Sequence, residues 1–97
     1  MKAKDVLLTQ VSTEPPEQYD VRDKDGNKLG YIRIRWGFCN VWCPDETSNE
    51  NVYSSELKSG FETFGSNTER KRHLTRARAA IAKWWNENPN HHFGEET

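Results

Sequence analysis

Apolar and polar residues alternate with a period of two in three stretches of the chain, then with a period near 3.6 in a fourth. Tyr19-Asp20-Val21-Arg22-Asp23 alternates and predicts a strand. Lys24-Asp25-Gly26-Asn27 follows, and Asp-Gly predicts a tight turn, because Gly26 takes positive φ without steric cost. From Lys28 to Trp36 the alternation is the clearest in the protein. Ile32, Ile34 and Trp36 share one face, and Tyr31, Arg33 and Arg35 share the other. Gly37 marks a second turn, and Phe38-Cys39-Asn40-Val41-Trp42-Cys43 gives a third strand that Pro44 ends. Short turns between such strands make an antiparallel meander. Val52 to Leu57 predicts a fourth strand after the acidic loop 45–51.

Ser66-Asn67-Thr68-Glu69 fits a capping box, in which the Ser hydroxyl accepts from an orphan N–H and Glu69 reaches back. The helical run ends before Asn88-Pro89. At 100° per residue Leu74, Ala77, Ile81, Trp84 and Trp85 fall on one stripe, which should pack on the meander, with Phe61 and Phe64 filling the gap. The expected fold is α+β: a three- to four-stranded antiparallel β-meander packed against one C-terminal amphipathic helix. The reading is one domain over 1–97. Residues 1–17 form an N-terminal arm or an edge strand around Val6-Leu7-Leu8, broken by Pro15-Pro16. The meander spans 18–65, the helix 66–87, and 88–97 a mobile tail.

Composition narrows the classes. The 24 large apolar residues include 4 Phe, 4 Trp and 3 Tyr, so a thin, aromatic-rich core is available to 97 residues. No apolar run approaches the roughly 18 residues of a membrane span, and the first residues carry only a three-residue apolar stretch, short for a signal peptide. The expectation is a cytoplasmic protein. Cys39 and Cys43 lie about 13 Å apart if they share a strand, too far for a disulfide, and should be free thiols. With only three histidines and no zinc-type spacing, no metal and no cofactor are expected.

Net charge is -1, but the charge is unevenly distributed. Residues 1–66 hold 8 basic and 11 acidic residues; residues 67–97 hold 6 basic and 4 acidic. Three sets follow. Arg72, Arg76 and Lys83 fall within about 40° of each other on the helix, opposite the apolar stripe, and form a basic ridge able to follow phosphates. Tyr31, Arg33 and Arg35 form an aromatic-basic strip on the outer face of a strand, of a kind that clamps single-stranded nucleic acid. Each set also reads as an ordinary solvated face. Since the helix should cover the Ile32/Ile34 side, ridge and strip cannot grip one ligand together. The third set is acidic: Asp20, Asp23, Asp25, Asp45, Glu46, Glu50, Glu56 and Glu62. It suits docking on a positively charged partner, standing in for DNA phosphates, or simply solubility. No nucleophile turn, paired carboxylate spacing or glycine-rich phosphate loop is present, so the chain reads as a non-enzyme.

Gly30-Tyr31-Ile32-Arg33-Ile34-Arg35-Trp36-Gly37, followed by Glu69-Arg70-Lys71-Arg72 and Ala80-Ile81-Ala82-Lys83-Trp84-Trp85, resembles in style the small proteins of phages and mobile elements. In size and polarity the chain is similar to anti-CRISPR proteins that bind type I surveillance complexes. Those proteins share no common signature, so no residue role carries over. The resemblance implies a non-enzymatic inhibitor that binds a protein or ribonucleoprotein complex of the host, blocking nucleic-acid access through an acidic, DNA-mimicking surface. The alternative is a small DNA- or RNA-binding accessory protein that uses the ridge and the strip.

Overall fold

In the computed structural model, residues 1–11, 14–48, 50–58 and 60–89 are described. A short 3-10 turn, Ala3–Asp5, leads into β1 (Leu7–Gln10), followed by β2 (Gln18–Arg22), β3 (Lys28–Arg35), β4 (Phe38–Trp42), β5 (Asn51–Glu56) and α1 (Asn67–Glu87). The five strands form one antiparallel sheet in chain order, and α1 packs across one of its faces. The α+β expectation holds, with five strands rather than three or four. The additional one is β1, the edge strand, which pairs Leu8 with Val21 and Gln10 with Tyr19. The tail from residue 90 lies outside the described residues.

Each strand sends alternate residues toward α1. Tyr19 and Val21 from β2, Ile32 and Ile34 from β3, and Cys39 and Val41 from β4 are buried there, with Cys43 following β4. Ala77, Ile81, Ala82, Trp84 and Trp85 meet them from the helix, and Leu74 packs at the margin. The expected stripe is therefore the buried one. A bulge between β2 and β3 puts both Leu29 and Gly30 inside. A Cβ at Gly30 would lie 2.8 Å from the Trp42 carbonyl oxygen and 3.4 Å from Ile81 Cδ1, so the helix sits against bare backbone there. Trp85 Nε1 donates to the Leu29 carbonyl at 2.9 Å, tying the last turns of α1 to the same bulge.

The cap of α1 is Ser66, whose side chain accepts from the Glu69 amide. Glu69 reaches back further than a capping box requires. Its carboxylate accepts from the amides of Gly65, at 3.0 Å, and Lys58, at 2.6 Å. It is buried and pins both ends of the 57–66 connection.

The first hairpin turns as expected at Gly26, with φ +87°. Asp23 organises it by accepting from the amides of Asp25 and Asn27, both at 2.9 Å. The second hairpin corrects the sequence reading. Arg35 pairs with Phe38, so Trp36-Gly37 is a two-residue turn with positive φ at both residues, 58° and 76°. Trp36 thus leaves the pleat before its alternation would carry it into the core, and it is 63% exposed. Phe61, expected beneath the helix, is 55% exposed and packs edge-to-face on Trp36 at 5.6 Å. Of that pair of phenylalanines only Phe64 fills the gap beneath the helix.

Candidate binding surfaces

Because one helix covers one face, the other face of the sheet is open. Register places its side chains in rows across the strands. Asp20, Tyr31, Trp42 and Asn51 make one row; Gln18, Arg33, Asn40 and Ser54 make the next; Arg35, Phe38 and Glu56 make a third. Beyond it lie Trp36 at the hairpin tip and Phe61. An aromatic-basic band therefore runs the length of β3. Tyr31 and Trp42 are tilted by 32° with ring centroids 6.1 Å apart, and Arg35 lies over the Trp36 ring at 5.4 Å.

The tip is held by backbone bonds from both sides. Gly37 N donates to the Phe61 carbonyl at 2.9 Å, and Leu57 N donates to the Gly37 carbonyl at 2.8 Å. Behind them Glu17 acts as a buried hub. Its carboxylate accepts from Arg70 Nε at 2.7 Å and Nη2 at 3.1 Å, from the Phe64 amide at 3.4 Å, and from the Tyr19 hydroxyl. Its own amide donates to the Glu62 carbonyl at 2.7 Å. Burial pushes the Glu17 carboxyl up, but the bonds from Arg70 and Tyr19 outweigh it and hold the group below its ordinary value.

The sequence-derived sets distribute as follows. Tyr31, Arg33 and Arg35 all project from the open face, as expected. Arg72 and Arg76 line a depression along α1 with Thr68, Lys71 and Thr75, while Lys83 lines another with Glu50, Asn51 and Val52 at the β5 edge, so the ridge is divided and neither part meets the strip. Lys83 pairs with Glu87 at 3.7 Å. The eight acidic residues do not make one surface. The 23–27 and 43–50 connections share an end of the meander, which gathers Asp23, Asp25, Asp45, Glu46 and Glu50 there, with Asp20 close by. Glu56 and Glu62 lie at the opposite end, near the aromatic tip. Within the first group Asp20 pairs with Arg22 at 2.6 Å and also with Lys28, and Glu46 pairs with the same lysine at 3.0 Å. Asp45 accepts from the Thr47 amide at 2.9 Å and hydroxyl at 2.6 Å. Asp25 and Glu50 are exposed.

Trp36, Phe38 and Trp42 were not singled out as surface groups from sequence. The signal was present, since Cys39 and Val41 facing inward force Phe38 and Trp42 outward. The Glu17–Arg70 pair had no local signal, because 53 residues separate its members.

Nucleophile chemistry is poorly served here. Burial pushes both the Cys39 and Cys43 thiols up to about 12, and both cysteines are free. His73 is buried, stacked on Phe64 at 5.6 Å, with Nδ1 3.1 Å from the Tyr53 hydroxyl and no partner for Nε2. Burial lowers its pKa, Arg72 and Arg76 lower it further, and Glu69 opposes them. A histidine kept neutral in the fold stabilises fully above its unfolded value of about 6.5 and loses that contribution as the pH falls below it. The melting temperature should therefore fall more steeply between pH 7 and 5 in the native protein than in His73→Gln. Parallel pH profiles for the two would contradict a buried neutral imidazole.

Among the described residues no group of three His, Cys, Asp or Glu side chains could hold a metal ion. No helix among them is long and apolar enough to cross a membrane. The fold and its surfaces define the class: a small α+β protein with a single-sided sheet and an exposed aromatic band. Comparison with protein-family models, with curated proteins and with solved structures gives no match.

Proposed function

We propose that the chain is a non-enzymatic protein-binding inhibitor that anchors on its partner through the Trp36–Phe61 tip. The observation that carries this reading is Trp36. A bulky aromatic at positive φ costs about 1–2 kcal/mol relative to glycine or asparagine, the residues that favour such turns. Its ring contacts, to Phe61 and Arg35, lie at the surface rather than in the core. Strain of this kind, held in place by backbone bonds on both sides, belongs to contact sites. Trp dominates the energetics of many protein interfaces, and Trp36, with Phe38 and Phe61 beside it, supplies that chemistry in one patch.

The acidic end, with Asp23, Asp25, Asp45, Glu46 and Glu50, complements a basic surface on the same partner. Together with the resemblance to anti-CRISPR proteins, this makes a nucleoprotein complex in the host cytoplasm the partner class. The tip supplies affinity and the carboxylates supply steering.

Trp36→Asn tests the reading, because asparagine tolerates the turn. Its unfolding free energy should stay within about 1 kcal/mol of the native value, the relieved strain offsetting the lost ring contact. In a pull-down from host lysate the native chain should retain a protein complex, and Trp36→Asn should retain at least tenfold less. Equal recovery by the two chains, or no retained protein at all, would contradict it.

A further inference from the structure

We infer that the open sheet face around Tyr31, Trp42 and Arg33 is a binding site for single-stranded nucleic acid, separate from the tip that anchors protein. Four observations converge on it. Tyr31 and Trp42 are half-buried neighbours on adjacent strands, tilted by 32° with centroids 6.1 Å apart, and the Lys28 ammonium lies 5.9 Å from the Tyr31 ring. Such rings stack on bases without regard to sequence.

The charge around them is already sorted. Lys28 and Arg22 are taken up by Asp20 and Glu46. Arg33 and Arg35 form no ion pair among the described residues. They project from the same face about 6.6 Å apart along β3. The carboxylates beside the rings are thus neutralised, and the two uncompensated cations lie in line with them, placed for backbone phosphates.

Depressions flank Tyr31 on both sides. One, of about 480 Å³, is lined in part by Gln18, Asp20 and Lys28; the other, of about 280 Å³, by Arg33, Trp42 and Glu46. They bring amide and carboxylate groups to the edges of the platform, where base edges would lie.

The shape selects single strands over duplex. Five strands spaced about 4.8 Å apart make a surface about 19 Å wide, which cannot enter a major groove about 12 Å across. Arg72, Arg76 and Lys83 of α1 line other depressions and add nothing to this site.

The test is a fluorescence titration of the full chain with a 12-mer oligothymidylate and with a 12-base-pair duplex at 50 mM salt. The expected dissociation constant for the single strand is about 10–100 µM, with tryptophan quenching. Two phosphate contacts predict a log–log salt slope near -1.4. The duplex should bind at least tenfold more weakly. Trp42→Ala should lose at least fivefold. Arg33→Ala with Arg35→Ala should lose at least tenfold and flatten the salt slope. Trp36→Asn should stay within about twofold, so failure here and failure of the protein-binding reading are separable. Absence of binding, equal affinity for duplex, or native affinity in the double arginine variant would overturn the assignment.

Discussion

Replacing Trp85 with alanine is expected to destabilise the protein by about 3–5 kcal/mol, the cost typical of truncating a buried Trp. Trp85 is 7% exposed, meets Trp84 edge-to-face at 5.0 Å, and donates to the Leu29 carbonyl at 2.9 Å. Truncation therefore removes one of the two tryptophans that α1 buries in the core and leaves a buried carbonyl without its donor. At about 4–8 °C per kcal/mol for a chain of this size, the melting temperature should fall by about 12–40 °C. Trp85→Phe separates the two contributions. It keeps most of the ring and loses the bond, so it should cost about 1–3 kcal/mol. If Trp85→Ala melts within a few degrees of the native chain, α1 does not pack on the sheet as described.

The second large effect is at Glu17. Glu17→Ala should cost about 3–5 kcal/mol, because removing one member of a buried pair strands the groups around it. Those groups are the Tyr19 hydroxyl, the Phe64 amide and the Arg70 guanidinium. The Arg70 side chain is 33% exposed, and water will recover part of its loss, which places the value toward the lower end. Glu17→Gln keeps the shape and some of the bonds, and should cost distinctly less. The same carboxylate predicts an acid limb. Its folded pKa lies below its ordinary value, so its contribution is whole above the unfolded pKa, about 4.3, and is lost as the pH falls through the folded value. Chemical denaturation of native protein and Glu17→Gln between pH 6 and 3 should converge at low pH. A constant gap across that range would show that Glu17 is not charged in the fold.

Period and turn chemistry made most of the architecture legible. The Ile32/Ile34 alternation, the Asp25-Gly26 turn, the Ser66 cap and the Ala77/Ile81/Trp85 stripe each report a local rule, and each sits where that rule places it. What escaped was non-local or depended on where alternation stops. Trp36 continues the parity of Ile34, and only the recognition that Trp36-Gly37 forms a two-residue turn removes it from the core. Leu29 and Gly30 are both buried because a bulge suspends parity, and no period signals that. Glu17 reads as a linker residue beside Pro15-Pro16, yet its partner is on α1. The acidic set looked like one surface because sequence order hides that the connections of a meander alternate between its two ends.

These corrections relocate the contact surface. The helix, which carries the most conspicuous cluster of basic residues, spends its apolar face on the sheet and commits Arg70 to Glu17 and Lys83 to Glu87. The open face carries aromatics that neither fill the core nor aid solubility, and they continue into a strained, backbone-clamped tip. The 57–66 connection, fixed by Glu69 at Lys58 and Gly65 and by Glu17 at Phe64, holds Phe61 beside Trp36. The buried polar hub thereby supports the contact surface as well as the fold.

The central claim is that this molecule meets its protein partner with the β3–β4 tip rather than with the helix. Amide hydrogen exchange of the full chain, free and bound to the complex it retains, tests this directly. Protection on binding should concentrate in residues 35–38 and at Phe61, with the amides of residues 70–83 unchanged. Protection centred on 70–83, with the tip exchanging as in the free chain, would contradict the account.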